Sequence, residues 1–183
     1  MAKAVPLFRK RRNMLVALCC AAVAPFAARA PLAQEMTEAR VKAALLGNLA
    51  LFIDWPDSSG PLRLCVAGRG DTADAVRALD ARQIKGRAVE VIVVAAPNAV
   101  TGRGCHLLFI AAGSGARAVE FAQAAAGNPT AIVSEDDALS LDRSHIVLAL
   151  EERRPVIEVN LTAARKLGLD ISSRMLKLAR KVL

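Results

Sequence analysis

Five largely apolar runs, at residues 62–67, 89–95, 106–111, 130–133 and 145–150, recur along the middle of the chain with helical patterns between them. That alternation constrains the fold more than any other feature, because strands joined through helices return to their sheet in parallel. The runs are nearly continuous, as in Val89-Glu90-Val91-Ile92-Val93-Val94, which predicts a sheet covered on both faces. Helices are expected at residues 71–81 and 114–126, the second ended by Gly127-Asn128-Pro129. An earlier helix, residues 37–53, carries Val41, Leu45, Leu49 and Phe52 on one side and stops at Trp55-Pro56, since proline disfavours helix in the residue before it.

The end of the chain departs from this rhythm. Glu151-Glu152-Arg153-Arg154 is a charged turn between the fifth run and a β-branched segment at residues 155–159, so this last pair should be an antiparallel hairpin. Asn160 suits the N-cap of a short helix carrying Leu161, Ala164 and Leu167 on one face, and Gly168 suits its C′ position. Beyond it, Ser172 or Ser173 can cap a second helix in which Ile171, Met175, Leu178 and Val182 fall at helical spacing opposite Arg174, Lys177, Arg180 and Lys181. The expectation is an α/β fold: a single-domain, open, mainly parallel sheet of about six strands, helices on both faces and an antiparallel C-terminal edge hairpin.

Composition must be read after the first residues are set aside. Arg9-Lys10-Arg11-Arg12 forms a basic start, an Ala/Leu/Val run follows at residues 14–24, and Ala28-Arg29-Ala30 offers a small-x-small cleavage site. Together they predict an export signal over residues 1–33, cut between about 27 and 33. The apolar run falls short of the roughly 20 residues needed to cross a bilayer. Leu18 before Cys19 argues against lipid attachment there, while Arg11-Arg12 is compatible with twin-arginine as well as ordinary export. Without this segment, 19 basic residues stand against 17 acidic ones, a net +2 in place of the +8 of the full chain. The remaining aromatics are Phe52, Trp55, Phe109 and Phe121. With neither a basic footprint nor stacking platforms, nucleic-acid binding is not expected. Residues 34–183 have the usual size of one domain.

Two cysteines, Cys65 and Cys105, remain after processing. In an exported protein an even count favours a disulfide, although two small buried side chains in neighbouring strands would explain the same residues.

Motifs for chemistry are weak. Gly68-Arg69-Gly70-Asp71-Thr72-Ala73 stands between a strand and a helix as in dinucleotide sites, yet the next strand carries its only acid, Glu90, at the wrong end to hold a ribose. A tight turn followed by a helix cap accounts for the same residues. His106 and His145 both begin strands, and neither belongs to a zinc-ligand pattern. Ser114 and Ser134 lack a nucleophile elbow. Glu135-Asp136-Asp137 could hold a cation or form a solvated turn. No catalytic residue, cofactor or metal is expected.

Two segments carry a resemblance. Glu158-Val159-Asn160-Leu161, Gly168-Leu169 and Ile171-Ser172-Ser173 through Ala179 are similar to the C-terminal signature of the YfiR family. Val41-Lys42-Ala43, Asn48-Leu49-Ala50 and Asp54-Trp55-Pro56 resemble that family's first helix, with Leu51-Phe52-Ile53 departing from its usual aromatic and basic pair. The resemblance spans residues 37–182. It implies a non-catalytic periplasmic protein that represses a membrane diguanylate cyclase by binding its periplasmic sensing part, until an outer-membrane OmpA-like lipoprotein sequesters it. It also implies paired cysteines, and a homodimer is a further expected assembly. The expected docking surface comprises Phe52 and Trp55 at the end of the first helix with Glu158, Ile171, Arg174 and Met175. Strand, cap and core roles account for the same residue types. The rival reading is a periplasmic small-molecule binder with its pocket at the carboxyl ends of the strands, near Gly68-Arg69-Gly70.

Overall fold

The computed structural model describes residues 37–152 and 154–183; the expected export signal lies outside them. Thr37 caps α1 (Glu38–Ala50), its side chain accepting from the Arg40 amide, and Glu38 in the first turn complements the helix dipole. After β1 (Ile53–Asp54) come β2 (Leu62–Ala67), α2 (Asp71–Arg77), β3 (Gln83–Ile84) and β4 (Arg87–Val94). α3 (Asn98–Arg103), β5 (Leu107–Ile110), α4 (Ala116–Ala125) and β6 (Ala131–Ser134) follow. The chain closes with β7 (Ile146–Glu151), β8 (Arg154–Val159), α5 (Leu161–Lys166), β9 (Asp170–Ile171), α6 (Ser173–Leu176) and β10 (Lys181–Val182).

The main sheet has eight strands in the order β10-β8-β7-β6-β5-β2-β4-β3. β2 is parallel to both neighbours, with Leu64 opposite Val91 on one side and Leu107 on the other. The parallel ladder continues through β6 to β7, and β7 and β8 form the expected antiparallel hairpin. Side chains alternate between two cores. Leu62, Leu64, Val66, Leu107 and Phe109 join α1, α2 and α5 on one face, whereas Cys65, Ala67, Leu108, Ile110 and Ile132 join α3 and α4 on the other. Covering both faces is what the unbroken apolar runs demand. Cys65 and Cys105 are bonded, with their Cα atoms 5.7 Å apart.

Three expectations change. The sheet has eight strands instead of about six, because β3 and β10 are two-residue additions with no periodic signal, and β1 and β9 form a separate ribbon. The hairpin is not the edge, since β10 pairs in parallel with β8 outside it. Most consequential, the expected C-terminal amphipathic helix is the single turn of α6. Ile171 belongs instead to β9 opposite Ile53, and the chain after Leu178 turns onto β8. There the Arg180 amide donates to the Ile157 carbonyl (2.8 Å) and the Leu183 amide to that of Val159 (2.9 Å). Those edge carbonyls offer hydrogen bonds that local helical periodicity cannot register. α3 was also unforeseen, as Pro97, Gly102 and Gly104 break its pattern.

Each histidine braces a strand boundary. His106 Nδ1 accepts from the Arg63 amide (3.1 Å) and His145 Nδ1 from the Ile132 amide (3.0 Å). Burial pushes His145 down from 6.5 to about 4. Its folded value lies below its unfolded one, so the stabilisation is complete above about pH 6.5 and is lost as pH falls toward 4. His145→Asn, whose Oδ1 can still accept from Ile132, should reduce the loss of unfolding free energy between pH 7 and 5 by about 2 kcal/mol in urea titrations. An unchanged pH dependence would show that His145 does not titrate in this window. The disulfide spans 40 residues, so its reduction should lower stability by about 4 kcal/mol in the chain-entropy view; denaturation with and without reductant measures this directly.

Candidate partner-binding surface

Two segments far apart in sequence meet beside the end of α1. The Phe52 carbonyl accepts from the Ser172 amide (2.9 Å), and Ile53 and Asp54 pair with Ile171 and Asp170. Lys85 fastens the same place, its Nζ reaching the Ile53 carbonyl at 3.0 Å and the Asp54 carboxylate at 2.5 Å. Ser172 then caps α6 by accepting from the Arg174 amide. Gly168 turns the chain at φ 73°, where a Cβ would come within 3.0 Å of Pro56, so this close approach needs glycine.

At the opposite end of the C-terminal arm, Arg180 ties the chain entering β10 to two strands. Its guanidinium reaches Glu151 on β7 at 2.5 Å and Glu158 on β8 at 2.5 and 3.1 Å. The fork suits bidentate recognition of carboxylates, although its exposure lets water screen it.

The six residues expected to contact a partner separate by burial. Arg174 is exposed. Glu158 keeps about a fifth of its side chain exposed and is held by Arg180, and Phe52 is half-buried against the core. Trp55, Ile171 and Met175 are core residues. Trp55 lies edge-on to His106, its Nε1 donating to the His106 carbonyl at 2.7 Å. Their side chains therefore position the surface more than they form it. Leu178, 70% exposed, and Leu51, 41% exposed, lie in the same two segments. Leu178 shares a helical spacing with Ile171, Met175 and Val182, so no local signal marks it as surface.

At the carboxyl ends of β5 and β6 the loops hydrogen-bond to one another. Asp136 is 5% exposed and accepts from the amides of Ser114 (2.6 Å) and Gly115 (3.1 Å). The Ser114 hydroxyl donates to the Ala111 carbonyl and stands 2.8 Å from where a Cβ on Gly68 would lie. The loop amides that could cradle an anion in such a fold already hold a carboxylate. Of the acidic triplet, Asp137 is exposed in a turn, whereas Glu135 accepts from the Ala112 amide and pairs with Lys42, and Asp136 is buried.

At the amino ends, His106 is pushed below its ordinary value by burial and by Arg87 and Arg63. Arg87 donates to the carbonyls of Ser59, Gly60 and Pro61, fastening that loop beside Trp55. Among the described residues, no group of three or more His, Cys, Asp or Glu could hold a metal, and no helix is long and apolar enough to cross a membrane.

A sheet of this order, with a C-terminal arm docked beside the end of α1, defines a mixed α/β, mainly parallel fold. Residues 39–180 match the YfiR/HmsC-like family model, and the chain belongs to that family. No curated protein matches it. Among solved structures, a conserved domain protein from Vibrio cholerae O1 biovar El Tor is similar at TM-score 0.55 and 11% identity, covering 80% of this chain and 60% of that one. The ABC domain in complex with L-Trp from Streptococcus pneumoniae is similar at TM-score 0.50 and 11% identity, with 79% and 60% covered. At that identity the likeness is one of fold, and this chain spans 60% of the length of each.

Trp55→Phe removes the indole donor while the His106 carbonyl keeps the Ala131 amide (2.8 Å). It should lower unfolding free energy by about 1–2 kcal/mol from the lost hydrogen bond and ring volume. Equilibrium denaturation checks this, and no change would show that the indole contact contributes little.

Proposed function

We propose that this protein is an exported, non-catalytic regulator that binds the periplasmic sensing part of a membrane diguanylate cyclase and holds it inactive, lowering cyclic-di-GMP signalling. The observation that carries the reading is the family match across residues 39–180. Support for binding over catalysis comes from the polar groups themselves: His106, His145, Glu135 and Asp136 all hydrogen-bond backbone amides. A regulator of this kind works by linkage. It binds the inactive conformation of the cyclase more tightly than the active one and shifts the population by that difference, tenfold for each 1.4 kcal/mol or so.

The contact surface in this proposal runs from the junction of the α1 end with the C-terminal arm, where Phe52 and Arg174 lie, along the arm to Glu158 at its far end, with Leu51 and Leu178 as exposed apolar residues of the same segments. Trp55, Ile171 and Met175 hold it from behind. Deleting the gene should raise cellular cyclic-di-GMP, and mild crosslinking in the periplasm should recover a membrane cyclase with this protein. A double variant, Arg174→Glu with Leu178→Asp, alters only exposed side chains. It should melt like the wild type yet reproduce the deletion. Full repression by this variant would remove the surface from the proposal, and unchanged cyclic-di-GMP on deletion would remove the regulatory reading itself.

A further inference from the structure

Between α4, the amino ends of β6 and β7, and α5 lies a cleft of about 480 Å³, within the range of about 300–1,000 Å³ usual for small-molecule sites. Its walls are Val119, Ala122, Ile132, Ala163 and Leu167. It lies at the opposite end of the sheet from the Gly68 turn and shares none of the residues proposed above for partner binding.

Besides the charged rim, three polar side chains line the cleft: Gln123, which is exposed, Ser144, whose hydroxyl donates to the Ser140 carbonyl (3.2 Å), and His145, which is 6% exposed. Its Nδ1 accepts from the Ile132 amide at 3.0 Å. A backbone amide can only donate, so the tautomer is fixed and the ring proton sits on Nε2. No group of the described chain accepts from Nε2, and Nε2 is not among the unpartnered atoms sealed from solvent, so its open side is the cleft. With its value at about 4 the ring is neutral at pH 7 and presents a directed N–H donor, not a cation.

The rim gives the charge of the missing acceptor. Arg143 and Lys166 lie there with one acid, Asp142, whose carboxylate accepts from the Ser140 hydroxyl of its own loop. Two cations against one engaged carboxylate favour an anion. We infer that this cleft binds a small monocarboxylate with an apolar body, the carboxylate accepting from His145 Nε2 and the body lying against α4 and α5. The volume suits a chain or ring of roughly six to ten carbons.

The full chain should be expressed, purified from the periplasm, and titrated by calorimetry with sodium hexanoate. Sodium acetate supplies the charge without the body, and 1-hexanol the body without the charge. Hexanoate is expected to saturate and to bind at least about tenfold more tightly than either control. It should also shift the His145 Hε2 resonance. Ala163→Trp, a half-exposed wall position on α5, should abolish binding at an unchanged melting temperature. His145→Asn should weaken it by about tenfold or more. Absence of saturable binding, hexanol binding as tightly as hexanoate, or undiminished binding by a folded Ala163→Trp protein would overturn the assignment.

Discussion

The pairing of β2 with β5 is the interaction on which the rest of the structure depends. These strands are central in the sheet and supply both cores, Leu64, Val66, Leu107 and Phe109 to one face and Cys65, Ala67, Leu108 and Ile110 to the other. Their register is fixed three times at one end: by the Cys65–Cys105 bond, by the Arg63 amide on His106 Nδ1, and by the His106 amide on the Arg63 carbonyl (2.9 Å). Trp55 adds the chain leaving α1, because its indole donates to the carbonyl of the same histidine. Once Trp55 is held there, Ile53 is placed to receive Ile171, and the C-terminal arm has a dock.

This dependence shapes what the protein can offer to others. Groups that elsewhere would do chemistry are committed to the backbone: Asp136 fills the amides of the Ser114 turn, Glu135 holds Lys42 and the Ala112 amide, and Arg87 gathers three loop carbonyls. Buried polar groups must find partners, and here the chain provides nearly all of them. Among the described residues Arg77 Nε is buried without a hydrogen-bond partner, and the surfaces proposed for recognition are the exposed arm and the cleft beside His145. In the proposed role, any preference the protein expresses between two states of a partner would come from differential contact with that arm.

Much of this was legible in the residues. Uninterrupted apolar runs report burial on both faces whatever the neighbours are, so the parallel sheet, its flanking helices, the β7–β8 hairpin and even the bounds of β2 could be read locally. The family signature in residues 158–179 was equally plain. The surface was harder. Ile171, Met175, Leu178 and Val182 share a helical period, yet Ile171 and Met175 are core while Leu178 and Val182 are exposed. Trp55 looks like a candidate contact and is the pin behind one.

By itself, the sequence determined the class of fold and the family, because apolar periodicity, caps and signature residues act over a few positions. Tertiary structure alone decided the strand order, the conversion of the C-terminal helix into one turn and an edge strand, the capture of the Ser114 and Gly115 amides by Asp136, and the pairing of His145 Nδ1 with the Ile132 amide. Each of these depends on a hydrogen bond between groups more than a dozen residues apart, and such partners exist only once the sheet has brought them together.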